Sequence, residues 1–333
     1  MSAVIAGLGA WLPPAVLTNA DLSATLNTTS EWIETRTGIR ERHVVTGGLS
    51  TRDLAIEAGA RALKSAGGGS VDAVVVSTTS PDRICPAIAP EVAFRLGLGT
   101  VAAFDITSAC SGFVYGLATC SGLIASAVAT RVLFIGAETF SLFVNPRDRV
   151  TRPIFGDGAG AMVLREGSED EPGAIGPFDL GSDGALADLL AIPAGGSRQR
   201  SAGTPPDDDW YLQMDGRRVY VQAVARMTQS AQTVMKLAGW STADIDLFIG
   251  HQANLRILRA VAEELALPDA KIASNIDRVG NTLSASVAIL LNDAVSRGNL
   301  APGHRVLMSA FGAGLSWGST VFTWPDIPVA KLA

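Results

Sequence analysis

Three residues carry the chemistry that can be read from the chain. The segment Asp105–Leu117, DITSACSGFVYGL, sets Cys110 among small residues where an apolar, strand-like run (Val101–Ile106) meets the uncharged stretch Ser111–Ala129. That stretch, rich in Ala, Gly, Ser and Leu, reads as a helix buried on nearly every face. Cys110 then sits at or just before the helix N-terminus, where free N–H groups and the helix dipole favour an anion, so its thiol pKa is expected to fall. The competing reading is a buried cysteine that acts only as a small hydrophobe. His251, one of three histidines, follows the apolar run Ile245–Ile249, and Asn281 lies in SNIDRVGNT. A thiolate with His and Asn supports acyl transfer in two ways. The histidine can be a base oriented by the asparagine. Alternatively, both can donate hydrogen bonds to a developing enolate or oxyanion. The residues alone leave both open. The glycine-rich turn in SAFGAGLSWGST is either a plain turn or one that brings a backbone N–H to a thioester oxygen.

These residues are far apart along the chain, so the fold has to bring them together, and an internal repeat says how. LKSAGGGSVDAVVVSTTSP is echoed by MKLAGWSTADIDLFIGHQANL, and the segment opening VAAFDITSAC by the one opening KIASNIDRVGNT. Asp72 and Asp246 stand 174 positions apart, as do Arg131 and Arg305. Two matched blocks at one offset imply two α/β halves of the same design, 1–170 and 171–333, divided near the acidic stretch REGSEDEPGAIG. If the halves are pseudo-symmetric mates, the turns carrying Cys110 and Asn281 should meet. His251 should project from a strand end, where open α/β sheets bind ligands. GSRQRSAGTPPDDD is expected to be an exposed loop, its Asp run a solvated surface.

Composition bounds the rest. The 333 residues are 47% hydrophobic and 17% charged, enough for a sizeable core, and the net charge of −6 argues against nucleic acid as a partner. No apolar run reaches membrane-spanning length uninterrupted, and the N-terminus MSAVIAGLGAWLPPAV reads as a first strand and turn rather than a signal peptide. Cys85, Cys110 and Cys120 have neither metal-ligand nor redox-pair spacing, which suits a reducing cytoplasm. Cys120 is expected in the core.

Six motifs in order then resemble one family: EWIETRTGIRERHV (31–44), SACSGFVYGL (108–117), IFGDGAGAMVL (154–164), GHQANLRI (250–257), NIDRVGNTLSASV (275–287) and AFGAGLSWGS (310–319). The chain resembles the β-ketoacyl-(acyl-carrier-protein) synthase III family of condensing enzymes. The resemblance implies a thiolase-like fold of two pseudo-symmetric α/β halves in an αβαβα arrangement, assembled as a homodimer. It implies Cys110 as acyl-accepting nucleophile, His251 and Asn281 as decarboxylation partners, and an oxyanion hole from the backbone N–H groups of Cys110 and Ala313. The reaction would move an acyl group from acyl-coenzyme A to Cys110, then condense it with a malonyl thioester, in fatty acid or polyketide assembly. Coenzyme A enters only as part of a substrate, and no metal or organic cofactor is called for. The glycines of IFGDGAGAMVL form neither a phosphate loop nor a dinucleotide motif, so they read as a structural strand and turn.

The substrate entrance is partly local. TTSEWIETRTG opens with Thr28 and Glu31 in capping-box spacing and stops at Gly38. Trp32 and Arg36 share one helical face, and an aromatic plane beside a guanidinium suits an adenine ring and its phosphates as well as it suits plain surface packing. The resemblance favours the first. It adds Arg149 opposite Trp32, Arg256 near the pantetheine mouth, and Thr28 and Phe311 as further substrate contacts. Three features depart from the family pattern. Cys85 replaces a large residue at the end of the acyl pocket. Arg217 stands where an Asn often holds pantetheine. Glu263 and Glu264 stand where basic residues commonly meet the acyl carrier protein, making that docking surface atypical. These departures keep alive an alternative: simple acyl transfer, or condensation with a non-malonyl acceptor, in secondary metabolism.

Overall fold

The computed structural model describes residues 1–332. Two sheets carry the chain. The first runs in the order Ser2–Trp11, Gly158–Gly167, Arg131–Glu138, Ala73–Ser77, Ala102–Ile106; the second in the order Leu247–Gly250, Arg305–Gly312, Ser316–Thr323, Ile175–Ser182. Ala73–Ser77 pairs in parallel with both neighbours and is buried at every residue, which is why AVVVS shows no alternation.

Five layers follow from where apolar faces point. Thr51–Ser65 and Ala89–Arg95 cover the outer face of the first sheet, and Gly216–Ala238 and Leu255–Glu264 the outer face of the second. Between the sheets lie Gly112–Ala125 and Ser286–Ser296, sharing one core with inward residues of both. Small residues let this middle layer close. A Cβ on Gly116 would stand 2.0 Å from the Phe134 ring, which packs 4.8 Å from the ring of Phe113. Each such aromatic contributes about 1.5–3 kcal/mol on burial. Cys120 is fully buried in this layer.

The repeat is visible element by element. Ala73–Ser77 and Leu247–Gly250, Arg131–Glu138 and Arg305–Gly312, the 3₁₀ turns Ala109–Ser111 and Leu283–Ala285, and the two middle helices all begin 174 positions apart. The halves differ at one edge. KIASNID has no counterpart to the strand Ala102–Ile106; a single bridge joins Phe248 to Ile272, and one helical turn, Ile276–Val279, follows. Asn275, Asp277 and Gly280, at φ 71°, suit a tight turn better than a ladder. GSRQRSAGTPPDDD is exposed as expected but contains a short helix, Ser197–Ala202, and a 3₁₀ turn, Asp207–Trp210. Among the described residues no helix is long and apolar enough to cross a membrane.

Candidate active site

The turns carrying Cys110 and Asn281 meet between the sheets, and His251 joins them from the end of Leu247–Gly250. All three line one cavity of about 560 Å³. The His251 backbone N–H donates to Ser309 O at 2.9 Å, tying the histidine to the neighbouring strand. The Asn281 backbone is clamped by the segment before Gly158–Gly167: its N–H donates to Ile154 O and its carbonyl accepts from Gly156 N–H, both at 2.9 Å. This is what IFGDGAGAMVL does at the site.

The side chains are oriented by groups the sequence reading did not single out. Asn281 Oδ1 accepts from the Leu283 N–H at 2.9 Å, so its Nδ2 is the atom left to donate. His251 Nδ1 lies 2.6 Å from Ser286 Oγ, and Nε2 is buried without a protein partner. When the Ser286 hydroxyl donates to Nδ1, the ring carries its proton on Nε2. Burial lowers the His251 pKa to about 3, so the ring is neutral. The asparagine does not touch the histidine's other nitrogen, as a protease-like arrangement requires. With Ser286 donating to Nδ1, both residues instead present donors.

Cys110 lies in the 3₁₀ turn Ala109–Ser111, two residues before the helix proper, and is 7% exposed. The expected fall in its pKa is corrected: burial pushes the thiol well up, and the Glu138 carboxyl adds to the rise. Glu138 is fully buried at the end of Arg131–Glu138, where it accepts from Thr79 N–H at 3.1 Å and from the hydroxyls of Ser80 and Ser284, each at 2.7 Å. Burial outweighs those bonds and raises its pKa to about 7. A lone acid closing the apolar run RVLFIGAE was the available signal.

The glycine-rich turn is fastened to the nucleophile. Ser316 Oγ lies 2.8 Å from Ser111 Oγ and donates to Ala313 O at 2.9 Å. A Cβ on Gly312 would meet Cys110 N at 2.7 Å, so only glycine lets these backbones approach so closely. Phe311 lines the first cavity. Ala313 lines a second, of about 960 Å³, on another side of Cys110, and both cavities reach Cys110.

The entrance residues divide. Arg36, Arg217 and Arg256 line the first cavity. The Arg36 and Arg149 guanidiniums stand 5.6 and 5.7 Å from the Trp32 ring centroid, within cation–π range. Two readings are corrected. The helix is Ser30–Thr37, capped by Thr29, whose hydroxyl accepts from Trp32 N–H at 3.1 Å; Thr28 neither caps it nor lines either cavity. Gly38 ends it with φ 81°. Cys85 is exposed and lines neither cavity, because its loop runs over the surface and offers Ile84 and Ala87 to the second cavity instead.

The family model described as 3-oxoacyl-[acyl-carrier-protein (ACP)] synthase III matches residues 104–184, and its C-terminal counterpart matches 235–324. A Streptomyces coelicolor protein named beta-ketoacyl-[acyl-carrier-protein] synthase III 5 is 55% identical over 97% of this chain and 98% of its own length. The crystal structure of 3-oxoacyl-(acyl carrier protein) synthase III from Pseudomonas aeruginosa superposes with TM-score 0.93 at 47% identity, covering 98% of this chain and 100% of that one. The priming β-ketosynthase of the R1128 polyketide pathway superposes with TM-score 0.91 at 33% identity, over 98% and 97% of the two chains. The layers described above are a thiolase-like fold.

Proposed function

The chain belongs to the 3-oxoacyl-[acyl-carrier-protein] synthase III family and is a condensing acyltransferase of that kind; from this premise we propose how its own residues divide the work. Cys110 Sγ attacks the carbonyl carbon of an acyl-coenzyme A thioester. The developing oxyanion takes hydrogen bonds from the N–H groups of Cys110 and Ala313. The bond to coenzyme A breaks, the thiol's proton leaves with coenzyme A, and the acyl group stays on Cys110. Because burial disfavours a resting thiolate, deprotonation accompanies attack.

A malonyl thioester on acyl carrier protein follows. Its carbon–carboxylate bond breaks, carbon dioxide leaves, and the electron pair forms an enolate. The enolate oxygen accepts from His251 Nε2–H and Asn281 Nδ2–H. The carbon end attacks the acyl-Cys110 carbonyl, the carbon–sulfur bond breaks, and Cys110 takes up a proton as the 3-oxoacyl product leaves. Neutral donors suit this anion, and a histidine held neutral by burial is one. The observation that carries the assignment is that the Leu283 N–H occupies Asn281 Oδ1, leaving Nδ2 to donate, while Ser286 Oγ stands at His251 Nδ1 and leaves Nε2 without a protein partner.

Trp32, Arg36 and Arg149 receive the adenine and phosphates of coenzyme A, and Arg256 borders the pantetheine path. No resident cofactor enters these steps. The enzyme works in the cytoplasm as a homodimer; the exposed Ile84, Phe94 and Leu142 are the kind of apolar surface a second copy covers.

Labelled acyl-coenzyme A, offered with and without malonyl carrier protein, tests the division. His251→Ala and Asn281→Ala still acylate Cys110 and lose carbon dioxide release by about 100- to 1,000-fold. Variants that fail to acylate yet decarboxylate normally overturn it in favour of a base role for His251.

A further inference from the structure

The 174-position offset that relates the two halves also locates a mirror image of the active site. At that offset Ser284 is the mate of Cys110, Ser77 of His251, Thr107 of Asn281, Gly112 of Ser286 and Glu138 of Gly312. The mirror site is closed. Ser284 Oγ donates to Ser77 O at 3.1 Å, so the mates of the nucleophile and the histidine are bonded to each other. A Cβ on Gly112 would overlap Ser77 Oγ, which leaves no room for a hydroxyl such as Ser286 places beside His251.

The sites differ most at the last pair. Gly312 sets bare backbone against Cys110, whereas Glu138 sets a carboxyl against the mate of Cys110. Its Oε1 accepts from Ser284 Oγ and its Oε2 from Ser80 Oγ, each at 2.7 Å. Glu138 lines neither cavity, so it meets no substrate. Burying a carboxyl is costly unless its hydrogen bonds are made, and these bonds cross from one half of the molecule to the other.

What they hold is the turn beside Asn281. Ser284 is the middle residue of the 3₁₀ turn Leu283–Ala285. Leu283 opens it at φ 47°, a conformation that a residue with a side chain keeps only where its surroundings impose it. The strand carrying Glu138 supplies that constraint twice. Its carboxyl takes the Ser284 hydroxyl, and its Gly136 lets the turn approach, since a Cβ there would meet Ser284 O at 2.8 Å. The Leu283 N–H, one residue from Ser284, is the donor to Asn281 Oδ1. That bond decides which atom of the amide is left for the cavity.

Resting on the reading of Asn281 as an enolate donor, we infer that Glu138 is a positioning residue for decarboxylation. Acting through Ser284, it holds the Leu283 N–H against Asn281 Oδ1, so that Asn281 Nδ2 faces the enolate. The mirror site has no chemistry of its own. Its side chains serve as the brace for one donor of the working site.

A double-mutant cycle on the full-length protein tests this, with wild type, Ser284→Ala, Asn281→Ala and the double variant compared. Labelled carbon dioxide released from malonyl carrier protein is followed over long incubations, so that the residual rate of Asn281→Ala is measured. With Asn281 present, Ser284→Ala should lower release at least about fivefold, the scale of one hydrogen bond. With Asn281 already truncated there is no amide to orient, and the same change should cost less than about twofold. A loss of equal size in both backgrounds shows a general role in the fold and overturns the inference, as does release that Ser284→Ala leaves unchanged. Glu138→Gln keeps the shape and replaces one acceptor oxygen with a donor. It should show the same dependence on Asn281, and it decides the matter if Ser284→Ala does not fold. Release from Asn281→Ala at the wild-type rate removes the donor reading itself, and the inference with it; additive losses remove only the inference.

Discussion

Ser286 Oγ stands 2.6 Å from His251 Nδ1, and both residues are 2% exposed. Ser286 opens the middle-layer helix Ser286–Ser296, so the imidazole is indexed to a helix buried from Ser286 to Ala294. Ser286→Ala leaves a buried ring nitrogen without a partner and frees the choice of tautomer. The expected result is a fall in carbon dioxide release from malonyl carrier protein of about 5- to 150-fold, corresponding to roughly 1–3 kcal/mol. Acylation of Cys110 should change much less. Equal losses in both half-reactions would show that Ser286 supports the fold rather than the tautomer.

Gly312→Ala probes the backbone contact under the nucleophile. The added methyl meets Cys110 N at 2.7 Å and Ser111 N at 3.0 Å, and both are backbone atoms that no rotamer change can move. The turn must shift, at a cost of about 1–3 kcal/mol in stability. Acylation should fall at least about 100-fold, the scale of losing an oxyanion donor. A stable variant that acylates normally would mean the two turns do not need their present spacing.

The pseudo-symmetry explains what was legible in the sequence. Asp72 with Asp246 and Arg131 with Arg305 announced two similar halves because they immediately precede or begin equivalent strands, where polar residues mark the edge of an apolar run. Cys110 and Asn281 met for the same reason. The geometry beneath them was not legible. Ala109 and Leu283, again 174 positions apart, both adopt left-handed backbone, with φ of 44° and 47°, although neither is glycine. Only packing between the halves imposes that. The capping threonine was missed by one position because TTS offers hydroxyls in succession. The direction of the Cys110 shift was missed because burial and Glu138, both tertiary effects, outweigh a helix terminus that starts two residues later. Cys85 was misplaced because exposure of a surface loop has no periodicity to read.

The helix Leu255–Glu264 exposes Arg256, Arg259, Glu263 and Glu264. The two glutamates should weaken long-range attraction to an acidic carrier protein without touching the coenzyme A contacts proposed for Arg36 and Arg149. Exposed charges act mainly on association, and salt screens them over about 8–10 Å. Changing both to Lys should raise kcat/KM for a carrier-bound substrate at low salt and steepen its salt dependence, while acyl-coenzyme A kinetics stay within about twofold. Loss of carrier use in the double variant would reveal a partner with basic residues of its own.

His251 and Glu138 are both buried and titrate in opposite senses, which gives stability a particular pH dependence. Burial lowers the His251 pKa from 6.5 to about 3, so between those values the unfolded chain holds a proton that the folded protein does not. That contribution is present above pH 6.5 and is lost as pH falls toward 3. Burial raises the Glu138 pKa from 4.5 to about 7, so between those values the folded protein holds the extra proton. That contribution is present below pH 4.5 and is lost as pH rises through 7. From pH 4.5 to 6.5 the two oppose each other, one proton each, and their slopes cancel. Each substitution should expose its partner. Relative to wild type, Glu138→Gln should gain stability as pH rises from 4.5 to 7, with a slope approaching about 1.4 kcal/mol per pH unit. His251→Asn should lose stability relative to wild type as pH rises from 3 to 6.5, approaching the same slope. Urea unfolding of the three proteins at half-unit pH steps measures both differences, and groups common to all three drop out. A Glu138→Gln difference that stays constant across pH 4.5–7 would show that this carboxyl keeps its charge when buried, and the upward push on the Cys110 thiol would then be permanent rather than relieved in acid.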